Sequence, residues 1–137
     1  MTELVVSVRA TVNPTESQEK VSKAIRNILG DVSLNVLERG GSKVVEGIFD
    51  GPEPLNHLGE VFRRMRIRDA ARALLSRSPK EGRLSFGLNK QAAFAGKASF
   101  HSSGESPLGP IQITVEGDIE SVIALLCGFG VKSLKKK

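Results

Sequence analysis

Leu4-Val5-Val6-Ser7-Val8-Arg9-Ala10-Thr11-Val12-Asn13-Pro14-Thr15-Glu16 carries the pattern from which the fold is read. Leu4, Val6, Val8, Ala10 and Val12 alternate with Glu3, Val5, Ser7, Arg9 and Thr11. A period of two predicts a strand with one buried face. Asn13-Pro14-Thr15-Glu16 then offers an N-cap, a proline at the first helical position and a Glu at the third, so a helix is predicted to start there. It is expected to run to about Leu29, with Val21, Ala24, Ile25, Ile28 and Leu29 on one face and Lys20, Lys23 and Arg26 toward water. Gly30 is placed to end it.

Working outward, Val32 to Glu38 and Lys43 to Phe49 read as two strands joined by Arg39-Gly40-Gly41-Ser42, whose glycines permit the positive φ of a tight hairpin. Gly51-Pro52-Glu53-Pro54 breaks the sheet and opens a helical region from about Leu55 to Ser76. Its apolar stripe jumps. Leu55, Leu58, Val61, Phe62 and Met65 share one side of a helical wheel, while Ile67, Ala70, Ala71 and Leu74 share a side roughly half a turn away at ~100° per residue. Two geometries satisfy this. Either the helix breaks between Met65 and Ile67, or one continuous helix is buried on opposite sides along its length, which favours a dimer and lines up Arg64, Arg68 and Arg72 in a row.

Three more half-buried strands are predicted from Leu84, Phe86 and Leu88, from Ala98 and Phe100, and from Ile111, Ile113 and Val115. His101 to Pro110 reads as a loop with a rigid Pro107-Leu108-Gly109-Pro110 turn, and Asp118 as the cap of a last helix bearing Ile119, Val122, Ile123 and Leu126. The expected architecture is α+β: two layers, a mostly antiparallel sheet of about six strands, and helices packed on one face. One domain over residues 1–130 is expected, followed by a basic tail over 131–137.

The charge is unevenly spread. Arg63 to Lys97 holds ten basic residues against Asp69 and Glu81, a net +8 in a chain whose total is +5. Such a concentration implies a polyanionic partner, and arginine forks match phosphate bidentately. With six Phe and neither Trp nor Tyr, base stacking is limited. Cys127 is the sole cysteine, which excludes an intramolecular disulfide and a cysteine metal cluster and fits a reducing compartment. No apolar run approaches the ~18 residues of a membrane span, and the start lacks the pattern of a signal peptide, so a cytoplasmic protein is expected.

The chemical motifs are negative. A phosphate-cradling loop needs Gly, four residues, then Gly-Lys-Ser or Gly-Lys-Thr; neither Gly96-Lys97 nor Gly128 to Ser133 has that spacing. His57 and His101 have no metal-ligand partners in sequence, and no Ser-His-Asp unit is suggested, so no catalytic residue, metal or cofactor is assigned. Cys127 beside Leu125-Leu126 reads as a buried thiol. No recognition helix or basic zipper points to duplex DNA, which favours RNA, and the paired-aromatic RNA signature is missing at Arg83 to Gly87.

At Asn89-Lys90-Gln91-Ala92-Ala93 and Pro107-Leu108-Gly109-Pro110-Ile111, supported by Ile67-Arg68-Asp69-Ala70-Ala71-Arg72, the chain resembles a family of small archaeal proteins of unknown function. The family is catalogued as RNA-binding and also called exosome-subunit-like. Its fold is similar to that of ribosomal large-subunit protein five. The resemblance runs from about Leu4 to Phe129 and implies that fold, a cytoplasmic archaeal setting, frequent homodimers and an RNA role; it supplies no catalytic residues.

The expectation is therefore a non-enzymatic RNA-binding protein, a homodimer, gripping phosphates through Arg63, Arg64, Arg66, Arg68 and Arg72, with Lys90 and Lys97 extending the patch. Asn89 and Gln91 either hydrogen-bond a base or sugar, or satisfy backbone groups where the strand ends. The alternative is an interaction module whose second apolar stripe builds a dimer or partner surface and whose arginines pair with an acidic protein.

Overall fold

The computed structural model describes residues 4–77, 82–100 and 109–127. Strand β1 (Val5–Val12) lies at the centre of a five-stranded sheet, between β3 (Ser42–Asp50) and β5 (Pro110–Glu116). The edges are β2 (Asn35–Arg39), beside β3, and β4 (Arg83–Asn89), beside β5. Every pairing is antiparallel. The alternation in β1 decides which face is buried: Val6, Val8, Ala10 and Val12 are 8% exposed or less, and their register aligns them with Val45 of β3 and with Ile113 and Val115 of β5. The β2–β3 hairpin turns through Gly40 and Gly41 at φ 55° and 85°, as the Gly-Gly pair predicts.

Helices α1 (Gln18–Leu29), α2 (Glu53–Met65) and α5 (Ile119–Cys127) supply the other half of one continuous core, which gathers Ile25, Ile28, Leu55, Leu58, Phe62 and Leu126 with the sheet residues. α1 lies against α2, and α2 against α5. Gly59 permits the second approach, because a β-carbon there would fall inside contact distance of the Leu125 carbonyl oxygen. Full burial of each large aliphatic side chain contributes about 1.5–3 kcal/mol, so this two-layer contact carries most of the stability.

Two expectations are corrected, and one open alternative is decided. The first helix begins at Gln18, not at Pro14: Ser17 is its N-cap, its Oγ accepting from the Lys20 N–H. Asn13 to Glu16 form a closed turn instead, in which Glu16 N–H donates to the Asn13 carbonyl while the Asn13 N–H and Nδ2 donate to Glu16 Oε1. A local hydrogen-bonded turn has outcompeted the proline-first helix start. Second, the strand expected at Ala98 and Phe100 is reduced to one bridge between Leu88 and Phe100. Phe100 serves the core instead, its ring 5.6 Å from Phe62 and 6.0 Å from Phe86. The long helical region takes the broken one of its two expected geometries: it is two helices, α2 and α3 (Arg68–Leu75), so the continuous row of Arg64, Arg68 and Arg72 is not formed. The break resets the helical phase, and both stripes reach the same core: Leu75 and Ala71 of α3 are fully buried, with Ile67 and Leu74 packed against them, while Ala70 is exposed. The basic tail and most of the loop before β5 lie outside the described residues.

Candidate nucleic-acid interface

The break between α2 and α3 builds the charged surface. Ile67 N–H donates to the Phe62 carbonyl and Arg66 N–H to the Arg63 carbonyl, both at 3.1 Å, which is the hydrogen-bond pair of a Schellman helix end. Arg66 occupies its left-handed position at φ 59°, ψ 39°, where glycine is usual, and is the only non-glycine residue with positive φ among those described. A β-carbon there costs about 1–2 kcal/mol. Arg63, Arg64, Arg66 and Arg68 are all exposed around this corner.

Glu60 sits among them. Arg63 donates to its Oε1 through Nη2 at 2.6 Å and Nε at 3.1 Å. That hydrogen bond and the charge of Arg63 outweigh partial desolvation, and Arg64 and Arg68 add their attraction, so the Glu60 carboxyl lies below its ordinary value. One carboxylate thus feels guanidinium groups from both helices. Arg64, Arg66 and Arg68 make no ion pair among the described residues.

Lys97 joins this corner through the backbone: Ala98 N–H points at Met65 Sδ at 3.0 Å, which holds the segment beside the end of α2, and Lys97 is exposed. Arg72 turns elsewhere. It is half-buried, and its Nη2 donates to the Cys127 carbonyl at 3.2 Å, at the negative end of α5. Arg83 lies on the open face of the sheet beside Glu116 at 3.4 Å, and Lys80 is outside the described residues. The charge concentrated in the sequence is therefore divided among separate surfaces, with the α2–α3 corner holding its densest exposed part.

Lys90, expected to reach a phosphate, is buried instead, with 6% of its side chain exposed. Its Nζ donates to Glu16 Oε1 at 2.9 Å and to the Thr11 carbonyl. Burial tends to raise the Glu16 carboxyl, but hydrogen bonds from the Asn13 N–H, Lys90 and the Asn13 amide, with the charge of Lys90, hold it below its ordinary value. Asn89 takes the backbone role: it is the N-cap of α4 (Lys90–Phe94), its Oδ1 accepting from the Ala92 N–H at 2.9 Å. Gln91 is exposed on that helix. Sequence reasoning missed α4, for which Asn89 ahead of Lys90-Gln91-Ala92-Ala93 was the available signal. It also missed Phe94, 41% exposed at the end of α4, and Glu16 as the partner of Lys90.

His57 is exposed, with Nε2 3.2 Å from the Asn27 carbonyl oxygen. Burial pushes the Cys127 thiol up to about 11 against the attraction of Arg72 and Arg68. Among the described residues no His, Cys, Asp or Glu cluster is placed to hold a metal, and no helix is long and apolar enough to cross a membrane.

Among the described residues, a five-stranded antiparallel sheet with helices on one face defines a small α+β protein. Similarity to known proteins shows the family. A family model described as RNA binding matches residues 5–117, and the chain belongs to that family, whose archaeal members carry the label UPF0201. The UPF0201 protein of Methanopyrus kandleri is 42% identical over 123 residues, covering 82% of this chain and 77% of its own. That of Aeropyrum pernix is 39% identical over 113 residues, covering 81% and 75%. The crystal structure of the UPF0201 protein from Methanococcus jannaschii superposes with a TM-score of 0.79 at 33% identity, over 90% of this chain and 98% of that one. A DUF54 protein from Methanothermobacter thermautotrophicus, at 23% identity and a TM-score of 0.67 over 89% and 96%, shares the fold.

Proposed function

We propose that this protein binds RNA without chemistry of its own, gripping phosphates at the α2–α3 corner through Arg63, Arg64, Arg66 and Arg68, with Lys97 extending the grip and Arg72 bracing α3 against α5. The observation that carries the reading is Arg66. A left-handed corner that glycine would fill more cheaply holds an arginine instead, and backbone strain retained at an exposed charged position points to use. The family description supports the RNA assignment at the level of class. A cytoplasmic homodimer belongs to the same reading. What supports the dimer is the sheet face that no described helix covers, where Ile48 is 71% exposed beside Ser7 of β1.

Fluorescence anisotropy with labelled single-stranded RNA across a salt series tests the grip. Each neutralised phosphate contributes about −0.7 to the slope of log affinity against log salt on single strands, so replacing Arg64, Arg66 and Arg68 by Ala is expected to flatten the slope by about 2. An unchanged slope removes the corner from the interface. No RNA binding at low salt, with a defined complex with an acidic protein, makes the interaction-module reading the better one.

A further inference from the structure

A second site lies away from the corner. α1 and α4 enclose a cleft of about 380 Å³, with Val21 and Ala24 on one wall, Phe94 at the rim and the Lys90–Glu16 pair lining it. α4 is held there by Asn27, whose Nδ2 donates to the carbonyls of Ala93 and Phe94, each at 3.0 Å. Phe94 is therefore an aromatic ring kept half in water on an anchored backbone, which is an unfavourable arrangement for a residue that only packs. The Lys20 ammonium lies 5.8 Å from its ring centroid on an exposed side chain, so a group that stacks on this face displaces the ammonium and keeps it within reach.

The polar edge is built rather than scattered. Glu16 Oε1 takes the hydrogen bonds from the Asn13 N–H, Asn13 Nδ2 and Lys90 Nζ, while Oε2 accepts none among the described residues. The carboxylate is held by these bonds, 12% exposed, and is part of the cleft's lining. The exposed Gln91 amide adds one donor and one acceptor. An apolar wall of Val21 and Ala24, an aromatic ring, a hydrogen-bonded carboxylate and an exposed lysine in an otherwise polar lining match a planar heterocycle with an amino edge and an attached phosphate.

We propose that this cleft binds a single unpaired nucleobase bearing an exocyclic amine, stacked on Phe94 with its amine on Glu16 and its 5′-phosphate met by Lys20. The assignment rests on the RNA reading for its source, since the base is taken to come from a strand whose backbone lies on the arginine corner. Uracil, which has carbonyl oxygens where cytosine and adenine have an amine, would face the Glu16 carboxylate with an acceptor and be disfavoured.

The test uses anisotropy with labelled oligo(C), oligo(A) and oligo(U) of equal length, competition by CMP, AMP and UMP, and the full-length chain as wild type, Phe94→Leu and Gln91→Ala. Phe94→Leu keeps the apolar volume and leaves the buried ion pair alone. It is expected to weaken oligo(C) and oligo(A) roughly tenfold, to flatten the salt slope by no more than the single Lys20 contact, about 0.7, and to erase the preference over oligo(U). Gln91→Ala is expected to reduce that preference more than overall affinity. Equal affinity of wild type and Phe94→Leu for all three oligomers overturns the site while the arginine grip stands. Saturable CMP or AMP binding lost in Phe94→Leu, with no affinity for any oligomer, keeps the site as one for free nucleotides and overturns the RNA source. Absence of binding by every oligomer and every nucleotide overturns both.

Discussion

Lys90 Nζ lies 2.9 Å from Glu16 Oε1, with 6% and 12% of the two side chains exposed, and this contact ties the start of α4 to the turn between β1 and α1. The two residues are far apart in sequence, so the pair closes the protein across its tertiary structure. Both charges are largely removed from water, which makes the cost of losing one partner larger than the gain from having both.

Replacing Lys90 by Met is therefore expected to destabilise the fold by about 3–5 kcal/mol, because it strands the Glu16 carboxylate. The double replacement with Glu16→Gln should recover part of that loss. Urea midpoints of the single and double variants provide the check, and a Lys90→Met variant as stable as wild type would refute the burial argument.

The same carboxylate sets an acid limit. Glu16 has a folded value below its ordinary 4.5, so the unfolded chain takes up this proton first as pH falls. Its contribution is fully present above the ordinary value, starts to fall as pH drops through it, and is gone below the depressed folded value. The stability difference between wild type and Glu16→Gln, followed by urea unfolding from pH 7 downward, should be constant to about pH 5 and shrink below that. A difference that grows toward acid would mean that the folded value is raised.

Arg66→Gly should raise stability by about 1 kcal/mol, since glycine removes the β-carbon from the left-handed corner at the expense of a more flexible unfolded chain. RNA affinity should fall in the same variant. Gain in thermal midpoint with loss of binding would show stability given up for charge at this position; a lower midpoint would show that the Arg66 side chain itself supports the corner.

Gly59→Ala is expected to cost about 1–3 kcal/mol, as the added methyl meets the Leu125 carbonyl and forces α2 and α5 apart. Circular dichroism melting is sufficient to measure this. Cys127 should react slowly with iodoacetamide in the native protein, because the residue is 2% exposed and burial raises its thiol to about 11. Denaturant should restore ordinary reactivity, and fast native alkylation would place the thiol in solvent.

Local rules settled much of this protein directly from the chain. The alternation of β1 gave the buried face, since side chains on a strand point alternately to opposite sides. Gly40 and Gly41 gave the hairpin, because few other residues adopt two successive positive φ values. The half-turn jump near Arg66 was also visible, and it narrowed the second helical region to two geometries. Choosing between them required the core: α3 can bury Ala71 and Leu75 beside α5 only if the helix breaks and turns. Lys90 shows the same limit. As a residue in a basic stretch it reads like its neighbours, and what it meets is a carboxylate supplied by a remote turn. Short-range sterics and periodicity act along the chain and are legible there, whereas burial and charge pairing depend on which distant segments meet, which the packing of both layers alone decides.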